Sequence, residues 1–152
     1  MDVSKTTVLF LCRDNALLGP LAEAYFNRQG GGLVRSFSAG VDPVDELDSN
    51  VTRLLCARGM SVDGLGPKSF EVFTMAHAPL PDRLIVLDGC FLPELPKPWQ
   101  GEVPVHNWCV AAGVGYPRSY SAAAEYFRRI RNAVDRVLEP GPRETYPSTR
   151  VA

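Results

Sequence analysis

The sequence predicts one α/β domain built on an open, parallel β-sheet with helices on both faces. Three observations predict it. Short, continuously apolar runs such as Thr7 to Leu11 alternate with stretches of helical spacing. Each parallel crossover needs a covering helix, and right-handed connections place those helices on both sides of the sheet. At 152 residues, 45% hydrophobic and 22% charged, the chain has the balance of a single globular domain.

The first strand, Thr7 to Leu11, is branched and apolar throughout, as a strand buried on both faces must be. A helix should start at Pro20, a good first helical residue. Leu21, Ala24, Tyr25 and the stem of Arg28 mark its inner face, and Gly30 to Gly32 stop it. Leu33 to Phe37 reads as the second strand, closed by Ser38, Ala39 and Gly40. Asp48 to Arg58 reads as a helix ended by Gly59, with Val51, Leu54, Leu55 and Met60 as its buried set. KSFEVF, from Lys68, suggests a short helix. Asp82 to Asp88, DRLIVLD, is the third strand, and Val103 to Trp108 the fourth, after the proline-rich LPELPKPWQG. The last helix carries Ala123, Tyr126, Phe127, Ile130, Val134, Val137 and Leu138 on one face, and Pro140, Gly141 and Pro142 end it. The domain is therefore expected over residues 1–139, with 140–152 as a mobile tail.

Sixteen Lys and Arg against seventeen Asp and Glu leave a formal net charge of −1, which gives no global field for nucleic acid or an anionic membrane. No apolar stretch approaches the roughly 20 residues of a membrane span, and MDVSKTTVLFLC enters a strand without a signal-peptide pattern, so the expected location is the cytoplasm. Cys12, Cys56, Cys90 and Cys109 lack the paired short spacings of a zinc site; free thiols, no metal and no cofactor are expected.

Ligands of open parallel sheets gather at the carboxyl ends of strands. The loop from Cys12 to Gly19 lies at such an end, where backbone N–H groups and the dipole of the next helix attract an oxyanion. The same donors favour a thiolate, which makes Cys12 a candidate nucleophile with a lowered pKa.

The stretch C-R-D-N-A-L-L-G-P-L-A-E resembles the active-site loop of the low-molecular-weight protein tyrosine phosphatases and the related thioredoxin-coupled arsenate reductases. Cys12, Asn15, Pro20, Ala22 and Glu23 fall in its register, as do Ser38, Ala39 and Gly40 after the second strand. The resemblance covers residues 6 to 138 and implies a three-layer sandwich with a four-stranded parallel sheet. It also implies a reaction: a cysteine thiolate attacks phosphorus, a loop arginine holds the equatorial oxygens, a loop serine stabilises the thiolate, and an aspartate on a later loop protonates the leaving group.

Carried onto this sequence, Cys12 matches the nucleophile and Asn15 the residue that shapes the loop, with Arg13, Asp14, Ala16, Leu17, Leu18 and Gly19 completing the anion-binding loop. Leu18 stands where the arginine belongs, Gly19 where the serine belongs, Leu17 at a second cysteine and Asp14 at the usual glycine. HNWCVAAGVGYP, after the fourth strand, holds no acid. One transition-state arginine is worth roughly 10³ to 10⁵ in rate, and a general acid about 10² to 10⁴. Asp14 adds repulsion against a dianion and raises the pKa of a nearby thiol. The reading is a phosphatase-like protein impaired in catalysis, a pseudophosphatase that binds a protein partner or small ligand at the loop. The rival is an enzyme that still uses Cys12, as a weak tyrosine phosphatase or an arsenate reductase-like thiol enzyme.

If the register of the loop holds, Leu18→Arg with Gly19→Ser should restore oxyanion affinity. Arg13 and Arg118 are the nearest cations, though neither is placed to aim a fixed fork at the loop centre. Cys90 and Cys109 are expected in the core rather than in a redox relay, because the resemblance puts the second reductase cysteine at Asp88. His77 and His106 read as loop or structural residues, the arginines of YFRRIRNAVDR as a solvated helix face, and Trp99, Phe91 and Leu92 as cover for the sheet.

Overall fold

The computed structural model describes residues 6–78, 80–89, 92–111 and 117–138. Strands β1 (Thr6–Cys12), β2 (Val34–Gly40), β3 (Arg83–Val86) and β4 (Val105–Asn107) form one sheet in the order β2-β1-β3-β4, with every pair parallel. Helices α1 (Leu18–Gly30), α2 (Ser49–Cys56) and α3 (Tyr120–Leu138) complete the α/β fold. The expected four-stranded parallel architecture is present.

β1 lies between β2 and β3, which is why its apolar run is unbroken. Val8, Phe10 and Cys12 face one side and enter a core with Leu21 and Phe26 of α1, Leu55 of α2 and Phe127 and Ile130 of α3. Leu9 and Leu11 face the other side, against Phe70, Phe73, Leu84, Trp99 and Val103. All three α-helices therefore contribute to one core. The opposite layer is made of two short 3-10 segments, Phe70–Thr74 and Lys97–Trp99, instead of the α-helices expected on both faces. Trp99 is buried there and Leu92 packs beside it, so both cover the sheet; Phe91 lies outside the described residues.

Local chemistry explains most boundaries. Asp48 caps α2 by accepting the Asn50 N–H at 2.9 Å, and Ser69 caps the first 3-10 segment by accepting that of Glu71 at 3.1 Å. α1 begins at Leu18, two residues earlier than expected, with Leu17 before it and no side-chain cap. β1 and β2 reach Cys12 and Gly40 because these two residues still pair with each other. β3 and β4 are shorter than their apolar runs, since Leu87 and Trp108 leave regular pairing at the ends.

In α3 the expected inner face is buried from Ala123 to Val134, but Val137 is exposed. Arg28, expected to lay its stem on the core, is exposed as well. Residues 140–152, expected as a tail, and Cys90 lie outside the described residues. Among the described residues no helix is long and apolar enough to cross a membrane.

Candidate active-site loop

Cys12 is the last residue of β1, and the chain turns from it into α1 through Arg13 to Leu17. Asn15 makes the turn with a left-handed backbone, φ = +54°, a conformation that asparagine tolerates better than most residues. Its side chain anchors the loop from below: Nδ2 donates to Ser38 Oγ at 3.0 Å, and Oδ1 accepts the Lys68 N–H at 2.8 Å. Ser38 Oγ in turn donates to Glu23 Oε1 at 2.7 Å, and Lys68 Nζ lies 3.8 Å from the same carboxylate oxygen. Burial pushes the Glu23 carboxyl up, opposed by Ser38 and Lys68.

Ser38, Ala39 and Gly40 now have a physical role. A Cβ on Gly40 would stand 3.0 Å from the Arg13 carbonyl oxygen and 3.1 Å from the Asn15 nitrogen, so only glycine lets the loop lie on the end of β2. Beyond Gly40 the chain runs alongside the loop. Val41, Asp42, Val44 and Asp48 donate their N–H groups to the carbonyls of Cys12, Arg13, Asp14 and Ala16. The loop is fixed on both sides.

The sulfur of Cys12 is wholly buried, and the N–H groups of Gly19 and Asn15 are directed at it. These donors do not prevail. Burial first, then the Asp88 carboxylate, pushes the thiol up to about 12, and Asp14 adds to the effect. The lowered pKa expected for Cys12 is therefore corrected: two neutral donors cannot offset full desolvation with two carboxylates nearby.

Those carboxylates also occupy two of the loop's amides. Asp88 Oδ2 accepts the Arg13 N–H at 2.9 Å, and Asp14 Oδ1 accepts the Ala16 N–H at 3.1 Å. Across the mouth, Arg118 Nη2 donates to Asp14 Oδ2 at 2.6 Å, and Arg118 Nη1 lies 3.8 Å from Asp48 Oδ2. Arg118 thus reaches the loop, but it is held on the acids of the rim.

Leu17 and Leu18 are fully buried in the main core with Cys12 and Leu21. The side chain at the arginine's position is a core residue. Gly19 is equally committed: a Cβ there would stand 2.7 Å from Asn15 Nδ2 and 3.3 Å from Cys12 Sγ. A side chain at Gly19 therefore requires Asn15 Nδ2 to give way.

Arg13 is exposed. Cys109 is also exposed, not in the core as expected; it lies just past β4 with φ = +49°, its thiol donating to Asn107 Oδ1 at 3.1 Å. His77 is exposed, and His106 Nε2 is 3.3 Å from Arg83 Nη1 at the sheet edge. Among the described residues no three His, Cys, Asp or Glu side chains gather as metal ligands. The bonds from Asp88 and Arg118 to the loop escaped the sequence reading. Asp14 at a position usually held by glycine was the available signal, since a part-buried acid calls for a basic partner.

Solved structures share this architecture. An arsenate reductase from Archaeoglobus fulgidus superposes with a TM-score of 0.68 at 23% identity, covering 88% of this chain and 99% of that one. A low molecular weight protein tyrosine phosphatase from T. tengcongensis gives 0.69 at 17%, covering 89% and 99%. A thioredoxin-dependent arsenate reductase of Corynebacterium glutamicum gives 0.65 at 22%, covering 90% and 64%. No curated protein matches the chain in sequence. The family model for low molecular weight phosphotyrosine protein phosphatase matches residues 7–139, the span that contains the sheet, the three helices and the loop from Cys12, and the chain belongs to that family.

Proposed function

We propose that the chain is a catalytically impaired member of its family, a pseudophosphatase that acts by binding a protein partner or small ligand at the loop of residues 12–19. One observation carries this reading: two of the loop's N–H donors are held by the chain's own acids. Asp88 and Asp14 accept the N–H groups of Arg13 and Ala16, and Arg118 is seated on Asp14. A phosphate dianion would have to displace carboxylates and meet their charge.

The chemistry points the same way. Phosphoryl transfer depends on positioning and charge stabilisation, so losing the loop guanidinium at Leu18 removes roughly 10³ to 10⁵ in rate. The segment from His106 to Arg118 holds no acid to protonate a leaving group, a further loss of about 10² to 10⁴. A thiol pushed up this far by burial and Asp88 is almost wholly protonated at neutral pH. A weakly charged or partly apolar group suits this mouth better than a dianion.

One observation favours the rival reading, in which Cys12 is a working nucleophile: the N–H groups of Gly19 and Asn15 are aimed at its sulfur. Hydrolysis of p-nitrophenyl phosphate and thioredoxin-coupled arsenate reduction, each with Cys12→Ser as control, separate the two. Pseudophosphatase behaviour requires background rates that Cys12→Ser leaves unchanged. Turnover lost with Cys12→Ser establishes the enzyme.

A further inference from the structure

At the other end of α1 three arginines gather around one aromatic pair. Tyr25 and Phe127 meet edge to face, with centroids 6.0 Å apart at 88°. The guanidinium carbon of Arg131 lies 4.6 Å from the centre of the Phe127 ring and that of Arg58 lies 6.0 Å from it. Beside them opens a pocket of about 280 Å³ lined by Tyr25, Arg28, Gln29, Ala57, Arg58 and Met60. Arg28 comes from α1, Arg58 from the turn after α2, and Arg131 from the middle of α3.

Their charge is poorly balanced. Among the described residues none of the three forms an ion pair or a side-chain hydrogen bond. Asp135 faces them, its Oδ1 accepting the Tyr25 hydroxyl at 2.9 Å, and Glu23 and Asp63 share the adjoining hollow with Arg28. Burial lowers the Arg131 pKa, and the neighbouring Arg58 lowers it further. A cation at a helix C-terminus needs no special account, since the macrodipole favours it. That covers Arg28 and Arg58, but Arg131 sits mid-helix and faces like charge.

We infer that this pocket is an anion site, separate from the Cys12 loop, that takes a compact phosphoryl group. Arg28 and Arg58 line it and offer planar forks suited to phosphoryl oxygens, with the Gln29 amide as a further donor, and Arg131 adds positive charge from the Phe127 ring beside it. The volume admits a phosphate with a small body attached. The turn after α2 is rigid, with Arg58, Gly59 and Met60 donating their N–H groups to Leu55, Cys56 and Leu55, so Arg58 is presented from a fixed backbone.

The test is calorimetric titration of the full chain with inorganic phosphate and with glycerol 3-phosphate, repeated for Arg28→Gln, Arg58→Gln, Arg131→Gln and Cys12→Ser. Saturable binding weakened about tenfold or more by Arg28→Gln and by Arg58→Gln, and unchanged in Cys12→Ser, is expected. Tighter binding of the ester assigns the site to phosphate esters, and equal binding to the free ion. Absence of saturable binding, or binding that survives Arg28→Gln and Arg58→Gln, overturns the inference. Arg28 and Arg58 are exposed, so these two variants report on the site even if Arg131→Gln disturbs packing. Binding lost in Cys12→Ser alone would place the ion in the loop and overturn this inference, while the pseudophosphatase reading stands or falls on the turnover assays.

Discussion

Arg118 donates to Asp14 at 2.6 Å across 104 positions of sequence, closing a charged contact over the mouth of the loop that Cys12 opens. Asp14 Oδ1 holds the Ala16 N–H at the same time, so one carboxylate serves both as internal anion and as seat for the cation. The pair links the start of α3 to the loop before α1. It turns an anion receptor into a self-satisfied structure.

Because Arg118 is about a third exposed, solvent screens part of this interaction. A double-mutant cycle with Arg118→Gln and Asp14→Asn should therefore give a coupling energy of about 1 kcal/mol by urea denaturation. Coupling near zero would mean that the contact orders nothing.

Cys12 should resist alkylation by iodoacetamide at pH 7.5 in the native state, while the exposed Cys56 and Cys109 react. Asp88→Asn keeps an oxygen for the Arg13 N–H and removes a charge, so it should lower the Cys12 pKa, read from the pH dependence of alkylation by mass spectrometry. An unchanged profile would show that Asp88 does not control the thiol.

Glu23 supplies a pH dependence of stability. Its carboxyl is raised in the fold by burial, so the native state holds a proton that the unfolded chain releases near its ordinary value of about 4.3. Stability should be full below that value and decline as pH rises through the higher native pKa. Glu23→Gln mimics the neutral form and keeps an acceptor for Ser38; it should exceed the parent in stability at pH 7 and match it at pH 4. A lower stability at pH 7 would mean that Lys68 outweighs the cost of burial.

Gly19→Ala should cost about 1–3 kcal/mol, since its Cβ must enter the 2.7 Å space beside Asn15 Nδ2. Gly19→Ser should do no better, and the double change with Leu18→Arg, which also places a charge in the core, should unfold at lower urea concentration than the parent. Parent-like stability would mean that the loop can rearrange.

The parallel sheet and the amphipathic helices were legible because burial writes a period into the chain: β1 reads as unbroken apolar residues, and α3 repeats Ala123, Phe127, Ile130 and Val134. Of the second covering layer, the short helix within KSFEVF and the cover by Trp99 and Leu92 were legible, but the 3-10 character was not, because segments so short establish no period. At the site, the identities of Cys12 and Asn15 were legible from spacing. Their electrostatics were not, because Asp88 and Arg118 reach the loop from 75 and 104 positions away. Cys109 deceived for a related reason: free cysteines are usually buried, yet a left-handed turn after β4 carries this one into solvent.

The central claim, that the loop's Arg13 and Ala16 amides are already taken by its own acids, is tested most directly by titrating a ¹⁵N-labelled sample with inorganic phosphate and following the amide signals of those two residues. Neither should move saturably up to about 10 mM phosphate, well past the millimolar range of weak binding. Saturable shifts of both amides at sub-millimolar phosphate would place an oxyanion over Cys12 and contradict the account.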